Sequence, residues 1–278
     1  MADYAQEYID GDGFRLGVHR YRCDDGPAVV MLPAMGVPAG YYRRFAVALG
    51  SGGADVTVAD MRGTGSSMPR PARAVDFGYQ ELLDDIDALC DLVRDELAGR
   101  PVLFMGHSLG GQLALLHLAR QRPTGLDVRG VAVLASGLPY GALYGPRGVM
   151  VSGLARVMTT TSALYGHWPG YGFAGRQPRR LIGDWAHTVR TGRFPRLDGR
   201  DSEAGLAELK LPVLAVTMQG DKHTPEVTSR FLTAKLASAR VEEYRYRRDT
   251  AGTELDHFTW ARHSGPLIER LRAFIDGL

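Results

Sequence analysis

Pro101-Val102-Leu103-Phe104, Met105-Gly106-His107-Ser108-Leu109-Gly110-Gly111 and Leu113-Ala114-Leu115-Leu116-His117-Leu118-Ala119 stand almost end to end, and their reading decides the fold. The first is a short apolar run that reads as a buried strand, and the last reads as a helix. A strand that becomes a helix with almost no loop forces the corner residue into a strained backbone conformation. Side chains two positions either side would collide, and Gly106 and Gly110 leave that room. Ser108 remains at the apex with its hydroxyl exposed, beside the N–H groups of a helix N-terminus, where negative charge is stabilised.

The same rhythm runs through most of the chain. Residues 5–9 and 14–22 alternate around Asp10-Gly11-Asp12-Gly13, which reads as a half-buried hairpin. Ala28-Val29-Val30-Met31-Leu32 and Val56-Thr57-Val58-Ala59 are apolar enough to be strands covered on both faces. A helix is expected from about Tyr41 to Leu49. Apolar residues at 82, 83, 86, 89, 90, 93 and 97 predict another from Tyr79 to Leu97. Further strands are read at 130–135, 212–217 and 241–247, with helices near 225–238 and at 265–277. Alternating buried strands and amphipathic helices predict a mostly parallel sheet with helices on both faces. The rhythm breaks between 137 and 208, a stretch rich in Gly, Tyr, Trp and Arg with helical pieces near 147–158 and 178–191. It reads as a cap inserted into a core of 1–136 and 209–278, over the edge where such sheets bind ligands.

Composition narrows the function. The chain has 278 residues, 45% apolar and 23% charged, with a net charge of +2, values ordinary for a globular protein with a sizeable core. Its basic residues are scattered among acids, so nucleic-acid binding is not expected. Cys23 and Cys90 lie far apart without metal-ligand spacing, and structural thiols in a reducing compartment are expected. The start, Met1-Ala2-Asp3-Tyr4-Ala5-Gln6-Glu7, lacks the basic and apolar regions of a signal peptide. No apolar run approaches the roughly 20 residues that span a bilayer. A cytoplasmic location, a small-molecule substrate and no metal or other cofactor are the expectations.

A serine hydroxyl needs an adjacent base, and the base needs an orienting acid. In sites of this strand–turn–helix kind both follow the serine, acid first. The strand at 212–217 leads into Met218-Gln219-Gly220-Asp221-Lys222-His223-Thr224-Pro225, which offers Asp221 as the acid. A helix-cap or turn role is its alternative reading. The loop before the last helix, Ala251-Gly252-Thr253-Glu254-Leu255-Asp256-His257-Phe258-Thr259-Trp260, offers His257 as the base. His263 lies too close to the helix, and His223 stands beside the acid. Two N–H donors for an oxyanion are expected from Leu109 and from Met35, with Gly36 as the fallback.

Pro33-Ala34-Met35-Gly36-Val37 with Tyr41-Tyr42-Arg43, Asp60-Met61-Arg62-Gly63-Thr64-Gly65, Gly106-His107-Ser108-Leu109-Gly110-Gly111-Gln112, Gly220-Asp221 and His257-Phe258 carry a resemblance. Over essentially its whole length the chain resembles the α/β hydrolases, and is similar to the bacterial branch related to monoacylglycerol lipases and serine aminopeptidases. The resemblance implies an eight-stranded α/β-hydrolase sheet with an inserted helical lid, and a triad of Ser108, Asp221 and His257. Many relatives have His-Gly where this chain has Pro33-Ala34, which a backbone oxyanion donor tolerates. It further implies hydrolysis of a carboxylic ester, lactone or thioester through an acyl-serine. Acyl transfer or cyclisation uses the same machinery. A lyase, a cofactor-free oxygenase or a non-catalytic binding protein on the same fold are the rival classes. A serine apex disfavours the carboxylate nucleophile of dehalogenases and epoxide hydrolases. The cap acids Asp184, Asp198, Asp201, Glu203 and Glu208 form no clustered motif for a peptidase. Met35, Tyr41, His107, Trp168 and Tyr171 are the candidates for the substrate wall, although His107 is also expected to pack beneath the turn rather than titrate.

Overall fold

The computed structural model describes residues 3–23 and 26–278; Met1 and Ala2, which enter the reading of the N-terminus, lie outside them. β1 (Asp3–Gly11) and β2 (Phe14–Arg22) pair antiparallel as the hairpin. The apolar runs become β3 (Ala28–Leu32), β4 (Asp55–Ala59), β5 (Pro101–His107), β6 (Asp127–Leu134), β7 (Val213–Met218) and β8 (Val241–Tyr246). All join one eight-stranded sheet in the order β1-β2-β4-β3-β5-β6-β7-β8. β2 also runs antiparallel to β4, and every other pairing is parallel.

The continuous apolar character of the central strands follows from burial on both faces. Val30, Leu32, Phe104 and Val131 face one core, while Val29, Met31, Met105 and Leu134 face the other. α1 (Arg43–Gly50) packs Phe45, Ala46 and Leu49 on the second face. α2 (Tyr79–Val93) and α3 (Leu109–Ala119) cover the first. α2 stops at Val93 rather than 97, because the chain there tightens into turns while Leu97 stays buried and keeps the apolar spacing going.

Between β6 and β7 lie α4 (Gly148–Tyr165), α5 (Arg179–Thr191) and α6 (Ser202–Glu208). This segment has an apolar cluster of its own, built from Ala155, Met158, Trp168, Ile182, Trp185, Ala186 and Val189. Arg120 ties it to the core helices, with Nη2 2.9 Å from Asp84 and Nε 2.7 Å from Asp198. α4 runs past the expected 158 to Tyr165, and it exposes Val149, Met150, Leu154, Val157 and Leu164. α7 (Glu226–Thr233) and α8 (Gly265–Ile275) complete the two faces. α7 ends before 238 for the reason α2 does, with Leu236 buried beyond the helix end.

α6 has no counterpart in the apolar pattern of the sequence. It begins where Asp201 Oδ1 accepts the Glu203 N–H at 3.0 Å, and it lies against the end of α3. A Cβ at Gly205 would stand 2.5 Å from Ala119 O, whereas one at Gly153 in α4 would meet nothing within 4 Å. Gly205→Ala should therefore lower the melting temperature by several degrees. Gly153→Ala should hold or raise stability by up to about 1 kcal/mol, the helix-propensity difference. Thermal melts of the two variants check the pair, and a stabilised Gly205→Ala would contradict the α3–α6 contact.

Candidate active site

β5 ends at His107 and α3 begins at Leu109, so Ser108 alone makes the corner. Its φ of 54° and ψ of −117° are a strained combination for a residue with a side chain. A Cβ at Gly106 would lie 2.3 Å from Gly110 C, and a Cβ at Gly110 would lie 2.1 Å from Leu32 O. Both glycines are thus sterically required. The second contact also brings the end of β3 directly against the first turn of α3. Ser108 N donates to Leu134 O at 3.0 Å and Ser136 Oγ donates to Ser108 O at 2.7 Å, which fixes the corner from the neighbouring strand. The side chain itself is half-buried.

Asp221 and His257 meet beside this corner, 2.8 Å apart between Oδ2 and Nδ1. Asp221 Oδ1 accepts the N–H groups of His223 at 2.8 Å and Thr224 at 3.0 Å. Thr224 Oγ1 donates to Oδ2 at 2.7 Å. Burial works against the charge of Asp221, but the His257 contact and these donors outweigh it and hold the carboxyl down at about 2. The His257 ring lies 4.8 Å from that of His107, the residue before Ser108. Among the described residues no hydrogen bond joins the Ser108 hydroxyl to His257; such bonds often tighten only when substrate is bound.

His107 is fully buried, with Nδ1 2.8 Å from Tyr42 Oη and Nε2 accepting from Trp260 Nε1 at 3.4 Å. Burial and the adjacent His257 push it well below the ordinary histidine value, so it stays neutral. The rings of Tyr42, His257, Phe258 and Trp260 surround it. Trp168 is 4% exposed in the segment's own cluster, against which Met35 packs, with Nε1 donating to Phe173 O at 2.9 Å. Tyr171 is 77% exposed and stacks edge-on to Trp168. Tyr41 is half-buried and donates to Phe258 O at 2.6 Å, pinning the loop that bears His257. Met35 touches both the sheet core and the cluster of the inserted segment.

Around Met35 the backbone is tightly constrained. Ala34 N donates to Tyr42 Oη at 3.0 Å and Val37 N to Ala34 O at 3.1 Å. Among the described residues no acceptor is assigned to the N–H groups of Met35, Gly36 or Leu109. Gly36 has φ 73°, and a Cβ there would lie 2.0 Å from Ala174 O, so the inserted segment closes directly over this loop.

Two groups around the pair and the corner, Ser136 and Thr224, escape sequence reasoning. Ser136 and Thr224 act through contacts distant in sequence. Phe258 stands edge-on to His257 at 4.8 Å. Phe173 stacks on His223 at 6.1 Å, and the His223 ring lies 5.1 Å from that of His257. Asp221, His223 and His257 have donor atoms within 4.8 Å of one another, a set able to approach a metal ion. Asp221 and His257, however, are already engaged with each other and with Thr224.

Residues 26–248 match the family described as serine aminopeptidase, S33. No curated protein matches the chain by sequence. Among solved structures the chain is similar to a soluble variant of monoglyceride lipase from Saccharomyces cerevisiae, at 15% identity and TM-score 0.75, covering 100% of this chain and 95% of that one. It is also similar to a hydrolase from Pseudomonas aeruginosa, at 17% identity and TM-score 0.63, covering 97% and 98%. The thioesterase domain of the curacin biosynthetic pathway aligns at 14% identity and TM-score 0.60, covering 96% and 99%. At these identities the likeness shows the fold.

The depressed Asp221 carboxyl has a consequence for stability. Its folded value of about 2 lies below the ordinary 3.8, so the stability it adds is complete above about pH 4 and is lost as pH falls toward 2. Between pH 5 and 2 the wild type should lose roughly 2 kcal/mol more unfolding free energy than Asp221→Asn does. Urea melts across that range check this, and parallel curves for the two proteins would contradict it.

Proposed function

This chain belongs to the serine aminopeptidase S33 family of α/β hydrolases, and we propose that it hydrolyses a carboxylic ester, lactone or thioester through an acyl intermediate on Ser108. The observation that carries the reading is the 2.8 Å contact of Asp221 Oδ2 with His257 Nδ1, beside a serine held in a strained corner. In this reading His257 Nε2 takes the Ser108 proton as the hydroxyl attacks the acyl carbon. Asp221 stabilises the imidazolium that forms. The oxyanion is held by the Leu109 and Met35 N–H groups, with the N-terminal end of α3 adding favourable field. His257 then protonates the leaving alcohol, thiol or ring oxygen. Water, deprotonated by His257, releases the acid and restores the serine.

Residues 137–208 serve in this reading as the cap. Support comes from their separate apolar cluster, from Ala174 closing on Gly36 and from Phe173 stacking on His223. Met35, Phe173 and Phe258 then offer an apolar acyl group its surroundings. A free amino terminus, by contrast, would need a carboxylate, and the acids of this segment are engaged elsewhere. Asp184 accepts Tyr79 N at 2.8 Å, Asp198 pairs with Arg120, Asp201 with Arg193 and Glu203 with Lys235, and Glu208 accepts from Gln121. An ester-type substrate is therefore favoured over a peptide. No helix among the described residues is long and apolar enough to cross a membrane, and a cytoplasmic site of action remains part of the proposal.

A fluorophosphonate probe should label Ser108 alone, as read by mass spectrometry of the labelled peptide. Ser108→Ala should abolish labelling, and His257→Ala should slow p-nitrophenyl ester turnover by roughly 1,000-fold or more. Labelling of another residue, or full turnover by Ser108→Ala, would overturn the proposal. For the oxyanion donor, Met35→Ala should keep much of the activity, whereas Met35→Pro should lose roughly 100-fold, the scale of one donor. A Met35→Pro protein with native circular dichroism and full turnover would remove Met35 from that role.

A further inference from the structure

We infer that Thr224 is a positioning residue, whose hydroxyl locks His257 in the form with its proton on Nδ1 and holds Asp221 against it. The inference rests on the triad reading above and adds a fourth group to it. Thr224 Oγ1 lies 2.9 Å from Ala135 O, 2.7 Å from Asp221 Oδ2 and 2.9 Å from His257 Nδ1. A hydroxyl has one proton and two lone pairs. Ala135 O and the ionised Asp221 can only accept, so they compete for that proton. The charged oxygen, which is also the nearer, takes the larger share of a forked O–H, and Ala135 O takes the smaller.

His257 Nδ1 stands 2.8 Å from the same Asp221 oxygen. A bare Nδ1 would set its lone pair against a carboxylate lone pair, and the hydroxyl proton could relieve only one of them. A protonated Nδ1 donates to both oxygens through one forked N–H. The hydroxyl thus enforces a single tautomer and leaves the lone pair on Nε2, the nitrogen that must take the Ser108 proton. Thr224 is buried, so solvent does not stand in for the hydroxyl. Its own N–H binds the other Asp221 oxygen, which makes one residue answer for half of the donors around the acid.

The anchoring point gives the arrangement its reach. Ala135 follows β6 directly, next to Ser136, whose hydroxyl holds Ser108 O, and Leu134, whose carbonyl holds Ser108 N. The nucleophile and the acid–base pair are therefore referred to one three-residue strand end. A residue that merely filled space at 224 would serve equally well as valine, which has the shape of threonine without the hydroxyl.

Steady-state turnover of p-nitrophenyl butyrate by Thr224→Val and Thr224→Ser, beside Ser108→Ala and His257→Ala, separates these cases. Thr224→Val should lower kcat roughly 10- to 100-fold, the scale of a hydrogen bond to a charged group, with KM within about twofold. Thr224→Ser should restore most of kcat. Full kcat in Thr224→Val, while Ser108→Ala and His257→Ala are inactive, overturns this inference and leaves the triad standing. Full activity in all of them overturns the triad itself. Nitrogen-15 spectra of the wild type read the tautomer without any variant, and a neutral His257 carrying its proton on Nε2 overturns the inference whether or not Thr224→Val folds.

Discussion

The first turn of α3 presses against the ends of β3 and β5 with no side chain between them. That approach is possible only because Gly106 and Gly110 have no Cβ, each replacement carbon falling within 2.3 Å of backbone. The close approach makes Ser108 the whole connection between strand and helix and fixes its φ at 54°. Such a conformation costs on the order of 1–3 kcal/mol, and a well-packed surround has to impose it. Here the surround is the double-sided core of the central strands, together with the Leu134 and Ser136 contacts that hold the Ser108 backbone.

The parallel topology does the rest. Strands that all end on one side deliver Ser108, the Pro33-Ala34-Met35 loop, Asp221 and the Ala135-Ser136 strand end to the same edge. His257 arrives on the loop before α8, held by Tyr41 through Phe258 O. Electrostatics then sorts the histidines. His107 is sealed in and neutral, whereas His257 sits against an ionised Asp221 whose charge is fixed by four donors. Two rings 4.8 Å apart thus have different chemistry because one of them has a carboxylate partner and the other has Tyr42 and Trp260.

Much of this is legible in the chain. Continuous runs such as Ala28–Leu32 announce strands covered on both faces, and the glycines around Ser108 announce the corner. Chain order expects Asp221 after the 212–217 run and His257 in the loop before the last helix, and the two meet at 2.8 Å. What stays hidden depends on contacts distant in sequence. Nothing near Thr224 says that its hydroxyl meets Ala135 O, 89 positions away. Nothing near Trp168 says that its indole N–H is spent on Phe173 O. α6 buries a single apolar side chain, Leu206, so it has no period to read. α4 carries apolar residues on both its buried and its exposed faces, which blurs the period that marks its end.

An acyl-serine route requires a covalent bond at Ser108 during turnover. Acid-quenched reaction mixtures, digested and read by mass spectrometry within the first turnovers of an activated ester, test it directly. One acyl increment should appear on the peptide that contains Ser108, forming before steady state and disappearing as substrate is exhausted. Product release from an enzyme whose Ser108 peptide stays unmodified at every time point, or an acyl group on a different residue, would contradict it.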